Sequence, residues 1–212
     1  MNTSVIIAQV FAFAVAISFH EAAHAWSANK LGDPTAKNLG RITMNPLAHI
    51  DPVMTILFPA LLILAGLPPF GAAKPVPVDT RNLANPRVDH AWIAAAGPIS
   101  NVILALGAVV LLRIVMLDAA QAALPAGLWF MLFLVLQWTL VVNLLLATFN
   151  MIPLPPLDGS WILSAMLPGP VAAFYRQLQP YGFIILIALM YTGALSVIFR
   201  PVIRFGQALA GF

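Results

Sequence analysis

The chain has 212 residues, of which 61% are hydrophobic and only 8% charged, with a formal net charge of +3 and a mean hydropathy of +0.94. Soluble domains carry about 25% charged residues, so an ordinary water-soluble fold is excluded and an integral membrane protein is indicated. Lys and Arg are scattered through the connections without a basic run, which leaves nucleic acid no footprint, and the absence of cysteine excludes disulfides and thiolate metal sites.

Residues 4–28 are expected to form the first membrane-spanning helix. A cleaved signal peptide is the competing reading, but no basic segment precedes the apolar residues 5–18, and cleavage would destroy the polar stretch at their end. That stretch is His20, Glu21, Ala22, Ala23, His24. On a helix His20 and His24 project from one face, a turn apart, so two imidazoles can share one ion. Glu21 sits about 100° round the helix, placed to reach a water on that ion without being a ligand. This is the HExxH arrangement of zinc peptidases. Glu21 is the only glutamate and the chain has 4 histidines, so a chance match is remote. Core histidines bonded to neighbours are the bland alternative. It leaves unexplained three ionisable residues near a bilayer interior, where an acid costs roughly 2.5 kcal/mol or more.

Residues 33–52 read as a polar connection holding Lys37, Arg41, Asn45, His49 and Asp51, with Pro46 and Pro52 as breakers. Residues 52–67 are apolar but short for a span, are interrupted by Pro59 and are closed by the Gly-Leu-Pro-Pro at 66–69; a re-entrant or broken helix is expected. A second connection, 70–90, carries Lys74, Arg81, Arg87 and His90 and is extended around its prolines. Further spans are expected at 91–117, 128–149 and 181–199, with a polar connection at 118–127. Between the last two spans, residues 150–159 place three prolines within four positions ahead of Asp158, so the backbone must unwind there. A Pro-Gly-Pro break follows at 168–170, and the tail with Arg200 and Arg204 is expected at the interface. The fold class is therefore all-α and polytopic: about four full transmembrane helices plus one short re-entrant or broken segment, around a metal site within the membrane.

Two histidines and a water leave a zinc site short of one protein ligand. Glu21 occupies the base position, and Ser27 and Lys30 stand where the longer HExxHxxGxxH form needs Gly and His, so the third ligand is an Asp or a spare His. Asp158 alone follows a full span through a broken segment and is the first choice, a helix cap before Trp161 being the plain structural alternative for it; Asp51 is the runner-up.

The pairing of HEAAH at 20–24 with NMIPLPPLDG at 150–159, with AAAGPISN at 94–101 between them, resembles the site-2 protease family of intramembrane zinc metalloproteases. The resemblance covers roughly residues 1–165. It implies His20, His24 and Asp158 as ligands of one zinc ion, Glu21 as the catalytic acid/base, and Asn150 in contact with substrate or oxyanion; Asn101 and Asn45 are further substrate-binding positions. The division it suggests is a metalloprotease core at 1–165 and a C-terminal transmembrane helix with an interfacial tail at 166–212. No stretch is long enough for the PDZ insert of some members, so a compact form without a soluble regulatory domain is expected.

The ends of the first span and of the 128–149 span must meet, which requires one net crossing between them. The 91–117 span supplies it, so residues 52–69 must dip in and return. Lys30, Lys37, Arg41, Lys74, Arg81 and Arg87 then share one side, the cytoplasmic one by the positive-inside rule. The expected partners are single-span membrane-protein substrates in a bacterial or archaeal plasma membrane. Two other classes stay open: a zinc or other metal-ion transporter using the His/Asp site, and a non-catalytic scaffold.

Overall fold

The computed structural model describes residues 2–66 and 71–211. Helix α1 (Thr3–Lys30) opens on Asn2, whose side chain accepts from the Ser4 amide at 3.1 Å. Its buried stripe runs Ala8, Ala12, Ala16, His20, His24, Ala28 at every fourth residue, so the small residues that let neighbours approach and the metal-binding candidates share one face. Val10 and Phe11 point outward and are exposed, as lipid-facing residues would be.

After α1 come a short α2 (Thr35–Asn38), a 3-10 turn (Pro46–His49), and a π-helical turn (Pro52–Leu57) that runs into α3 (Phe58–Leu64). The Asp51 carboxylate starts that turn by accepting from the Val53 and Met54 amides, both at 2.9 Å. The chain then comes back beside its own start: Ala72 N donates to Met54 O at 3.1 Å, and Thr55 Oγ1 donates to Ala72 O at 2.7 Å. The segment thus leaves and returns at one level, as a re-entrant element would; residues 67–69 of the expected closing turn lie outside the described residues.

Helix α4 (Pro86–Val115) begins five residues ahead of the expected 91. Pro86 fits the first helical position, where the missing N–H has no intrahelical partner, and Asp89 in the first turn accepts from Asn85 N at 2.7 Å. Arg87, Asp89 and His90 therefore lie on the helix and not in a connection. The far connection contains α5 (Asp118–Ala123), and α6 (Ala126–Asn150) follows. Trp129 Nε1 donates to Val115 O at 2.8 Å, which sets the start of α6 against the end of α4. Ala16 meets Asn101 while His24 meets Ile93, and Trp129 meets Val115 while Asn143 meets Asn101, so α1 and α6 run one way and α4 the other.

Residues 151–157 form the expected unwound turn, and α7 (Asp158–Met166) starts on the aspartate. A β-carbon on Gly159 would collide with the backbone of Met151 and Ile152, so only glycine lets the turn close beneath Asp158. The single last span expected at 181–199 is instead broken. Helix α8 (Gly169–Arg176) is followed by α9 (Gly182–Tyr191), Gly193 takes φ +71°, and α10 (Leu195–Ala210) leaves at 69°. Gly193 permits this break because a left-handed backbone costs it no β-carbon clash. Arg200 and Arg204 consequently sit on a packed helix, where Gly206 rests on Leu140 and Leu144 and the Leu209 carbonyl accepts from Arg113 Nε at 2.6 Å.

Among the described residues three helices, α1, α4 and α6, are long and apolar enough to cross a membrane, and the bent pair makes a fourth if it counts as one. No strand occurs among the described residues. The result is the all-α, polytopic membrane bundle expected from composition.

Candidate metal centre

His20 and His24 come from the last turns of α1, and Asp158 is carried in by the turn that ends α6. Their ligand atoms lie within 4.8 Å of one another. His20 Nε2 is 3.0 Å from His24 Nε2 and 3.2 Å from Asp158 Oδ2; His24 Nε2 is 3.4 Å from Asp158 Oδ1. Ligands about 2.1 Å from one tetrahedral ion would stand about 3.4 Å apart, close to this spacing.

The other ring nitrogens show why the cluster needs a cation. His24 Nδ1 donates to the Ile93 carbonyl at 2.7 Å. His20 Nδ1 lies 2.7 Å from Asn101 Oδ1, and the Asn101 amide group is oriented by donating from Nδ2 to Ala16 O at 3.1 Å and Asn143 Oδ1 at 2.8 Å. With both Nδ1 atoms serving as donors, each neutral ring turns an Nε2 lone pair towards the other and towards a carboxylate. Asp158 Oδ2 is buried and takes no hydrogen bond. Three electron-pair donors facing one another in a buried place repel unless a positive charge lies between them, so the residues fit a divalent metal with nitrogen and oxygen ligands. The Nδ1 acceptors are the outer partners that fix tautomer and ring direction in such sites.

The support extends across three helices. Asn143 Nδ2 donates onward to Thr139 O at 2.8 Å, and Asn101 and Asn143 are fully buried. Gly97 of α4 faces both imidazoles, and a β-carbon there would overlap His24 Nε2 and Cε1 and crowd His20 Cε1. The far end of α7 is tied to α4 by Arg87, whose guanidinium donates to the carbonyls of Ser164 and Leu167.

Glu21 is buried beside the cluster and lines a cavity of about 880 Å³ that also exposes His20, His24 and Asp158. Its walls are mostly apolar: Ile17 of α1, Pro75 and Val76 of the extended segment after residue 70, Leu146 of α6, and Met190 and Phe199 from either side of the α9–α10 break. Asn150 joins this wall, with Nδ2 donating to Leu146 O at 3.0 Å. The other candidates fall elsewhere. Asn101 stands behind His20, away from the cavity wall. Asn45 is exposed and caps the Pro46–His49 turn by accepting from Leu47 N at 3.1 Å. Asp51 is committed to the cap of the π-helical turn, and the fully buried His49 bonds Thr43 O at 3.0 Å. One cavity residue that sequence reasoning left in a connection is His90, which stacks on Trp161. The Asn-Pro start of α4 was the signal that could have placed it on a helix.

Beyond the spans, the loops at this end are held by two acids. Asp33 is buried, which alone would raise its carboxyl, but hydrogen bonds from the Thr35 hydroxyl, the Asn82 amide and the Asp79 and Thr35 backbone N–H groups hold it below the usual range. Asp79 is lowered to about 2, chiefly by hydrogen bonds from the Arg81 side chain.

The chain is similar to known metalloproteases over most of its length. The family model for peptidase family M50 matches residues 8–191. The "Putative zinc metalloprotease YwhC" of Bacillus subtilis is 39% identical over 200 residues, covering 93% of this chain and 86% of that protein. The "Putative zinc metalloprotease Rip2" of Mycobacterium tuberculosis is 30% identical over 198 residues, covering 93% and 71%, and that of Mycolicibacterium smegmatis 29% over 193 residues, covering 91% and 70%. No solved structure matches the chain.

Proposed function

The chain belongs to peptidase family M50 and is a metalloprotease of the site-2 protease kind, and from that premise we propose that it hydrolyses peptide bonds within or beside the transmembrane segments of single-span membrane proteins. The observation that carries this reading is the convergence of His20, His24 and Asp158 beside a buried Glu21, at one end of a cavity inside a bundle of membrane-length helices. In this reading the three ligands hold one zinc ion, residues 1–165 form the catalytic core, and residues 166–212 flank it.

A zinc ion held there supplies a Lewis acid that makes water acidic and polarises a carbonyl. The chain's own groups do the rest. Glu21 accepts the proton of the attacking water and returns it to the leaving amine, the two halves of general base and general acid work by one carboxylate. Asn150 donates to the oxygen on which charge develops. Asn101 and the Ile93 carbonyl keep both imidazoles aimed inward, and the apolar walls keep bulk water from competing. A substrate helix must unwind to be cut, because its own hydrogen bonds shield its peptide bonds, and the cavity offers room for an extended strand beside the ligands.

The end of α1, the start of α4 and the chain between them carry Lys30, Lys37, Arg41, Lys74, Arg81 and Arg87. By the positive-inside rule this end faces the cytoplasm, so the site opens towards the cytoplasmic leaflet of a bacterial plasma membrane.

The test compares wild type with Glu21→Gln in detergent, measuring bound zinc and cleavage of a panel of single-span peptides. Equal zinc content with cleavage by wild type alone is the expected result. Zinc in both, cleavage by neither, and zinc movement across liposomes by wild type would replace the protease with a transporter.

A further inference from the structure

His90 is the one cavity-lining imidazole that the metal reading leaves without a task. Its ring lies flat on the indole of Trp161, with centroids 4.1 Å apart and planes 14° from parallel. Both rings line the reaction cavity, and among the described residues neither nitrogen of His90 has a hydrogen-bond partner. A stack alone would be served as well by phenylalanine. An imidazole in a mostly apolar cavity brings a donor and an acceptor that are costly to leave unmet once water is displaced, so the nitrogens call for a polar group that arrives with the substrate.

Placement says which part of the substrate that is. His90 precedes Gly97 by seven residues, two turns along α4, so it lies on the face that meets the metal ligands, about 10 Å along the axis. Trp161 follows Asp158 by three residues, about one turn along α7. An extended peptide advances about 3.3 Å per residue, so the His90 ring reaches backbone roughly two to three residues from a bond held at the ligands.

We propose that His90 is a substrate-binding residue of the protease: stacked on Trp161, it hydrogen-bonds the backbone of the unwound substrate two to three residues from the scissile bond. The contact reads unwound peptide irrespective of side chain, because a helical backbone has no free N–H or C=O to offer. It rests on the proteolytic reading above and adds a requirement for local unwinding that the metal ligands alone do not impose. Trp161 is the positioning partner, fixing the imidazole plane by stacking.

The experiment measures zinc content and kcat/KM on the single-span peptide panel for wild type, His90→Phe and His90→Gln. Phenylalanine keeps a stacking ring and removes the nitrogens; glutamine keeps a donor and an acceptor. The expected result is unchanged zinc in both variants, a fall of about five- to twentyfold in kcat/KM for His90→Phe, and partial recovery in His90→Gln. Wild-type cleavage matched by His90→Phe would show that the ring only stacks and would overturn the proposal. Loss of zinc by both variants would make His90 a scaffold residue and overturn it as well. If wild type itself cleaves no peptide, the proteolytic reading falls first and takes this one with it; cleavage by wild type with no His90 effect removes only the contact.

Discussion

The two walls of the cavity are built in different ways. On the side of α1, α4 and α6, polar groups are tied in sequence: His24 to Ile93, His20 to Asn101, Asn101 to Asn143, Asn143 to Thr139. On the side of α9 and α10, the cavity is lined mainly by apolar side chains, Phe183, Met190, Leu195 and Phe199, and the helix is broken between Tyr191 and Leu195. Directional bonds fix a side chain to a few tenths of an ångström, which a metal site requires, whereas apolar contact tolerates sliding. One wall is thus suited to hold chemistry and the other to yield to a substrate helix.

A matched pair of glycines gives the largest contrast. Gly97→Ala drives a β-carbon into both imidazoles, against atoms that the Nδ1 hydrogen bonds hold in place. Purified protein is expected to lose most of its zinc and to cleave more than about a hundredfold more slowly. Gly206→Ala meets only the methyl ends of Leu144 and Leu140, which can turn aside, and gains helix propensity. Its stability is expected within about 1 kcal/mol of wild type, with zinc and cleavage unchanged. Equal damage from the two, read by zinc content and thermal melting, would abolish the distinction between the walls.

A smaller effect is expected behind the ligands. Asn101→Ala removes the acceptor for His20 Nδ1 and leaves the Asn143 and Ala16 oxygens without their donor. Zinc affinity should fall by about ten- to a hundredfold, measured by competition with a chelator, and excess zinc should restore part of the cleavage. No change in affinity would show that the polar chain is ornamental to the metal site.

The sequence displayed the ligands more clearly than their support. HEAAH and the proline-broken run to Asp158 stand out because polar residues in an apolar chain have few other uses. Asn101 looked equally able to face a substrate, since its direction depends on how α1 crosses α4, which no local pattern encodes. Gly97 was legible only as a small packing residue; that it sits against two imidazoles is a tertiary fact. His90 was hidden by hydropathy, which places the start of α4 where the apolar residues begin, although Asn85 and Pro86 mark an earlier start. The break at Gly193 was likewise masked by the apolar residues around it, where one glycine in a long hydrophobic run reads as an uninterrupted span.

The mildest test of the contrast is acid. Asp33 fastens the loop after α1 to the segment before α4, accepting from Thr35, Asp79 and Asn82 as a buried carboxylate. Its carboxyl is held below the ordinary range, so the stabilisation is fully present above the unfolded value of about 3.9 and is lost as pH falls through the lower folded value. Residues 159–212 contain no Asp or Glu, so the C-terminal wall has no side-chain carboxylate to titrate. Hydrogen exchange, with each rate referred to the intrinsic rate at its pH, should therefore show the Thr35 and Asp79 amides losing protection below about pH 3.9 while α10 keeps its own. Asp33→Asn turns one accepting oxygen into a donor; it should cost about 1–3 kcal/mol at neutral pH and remove this acid step. Parallel loss of protection in α10 would mean that the bundle opens as one unit, and the two walls would then differ in bonding without differing in stability.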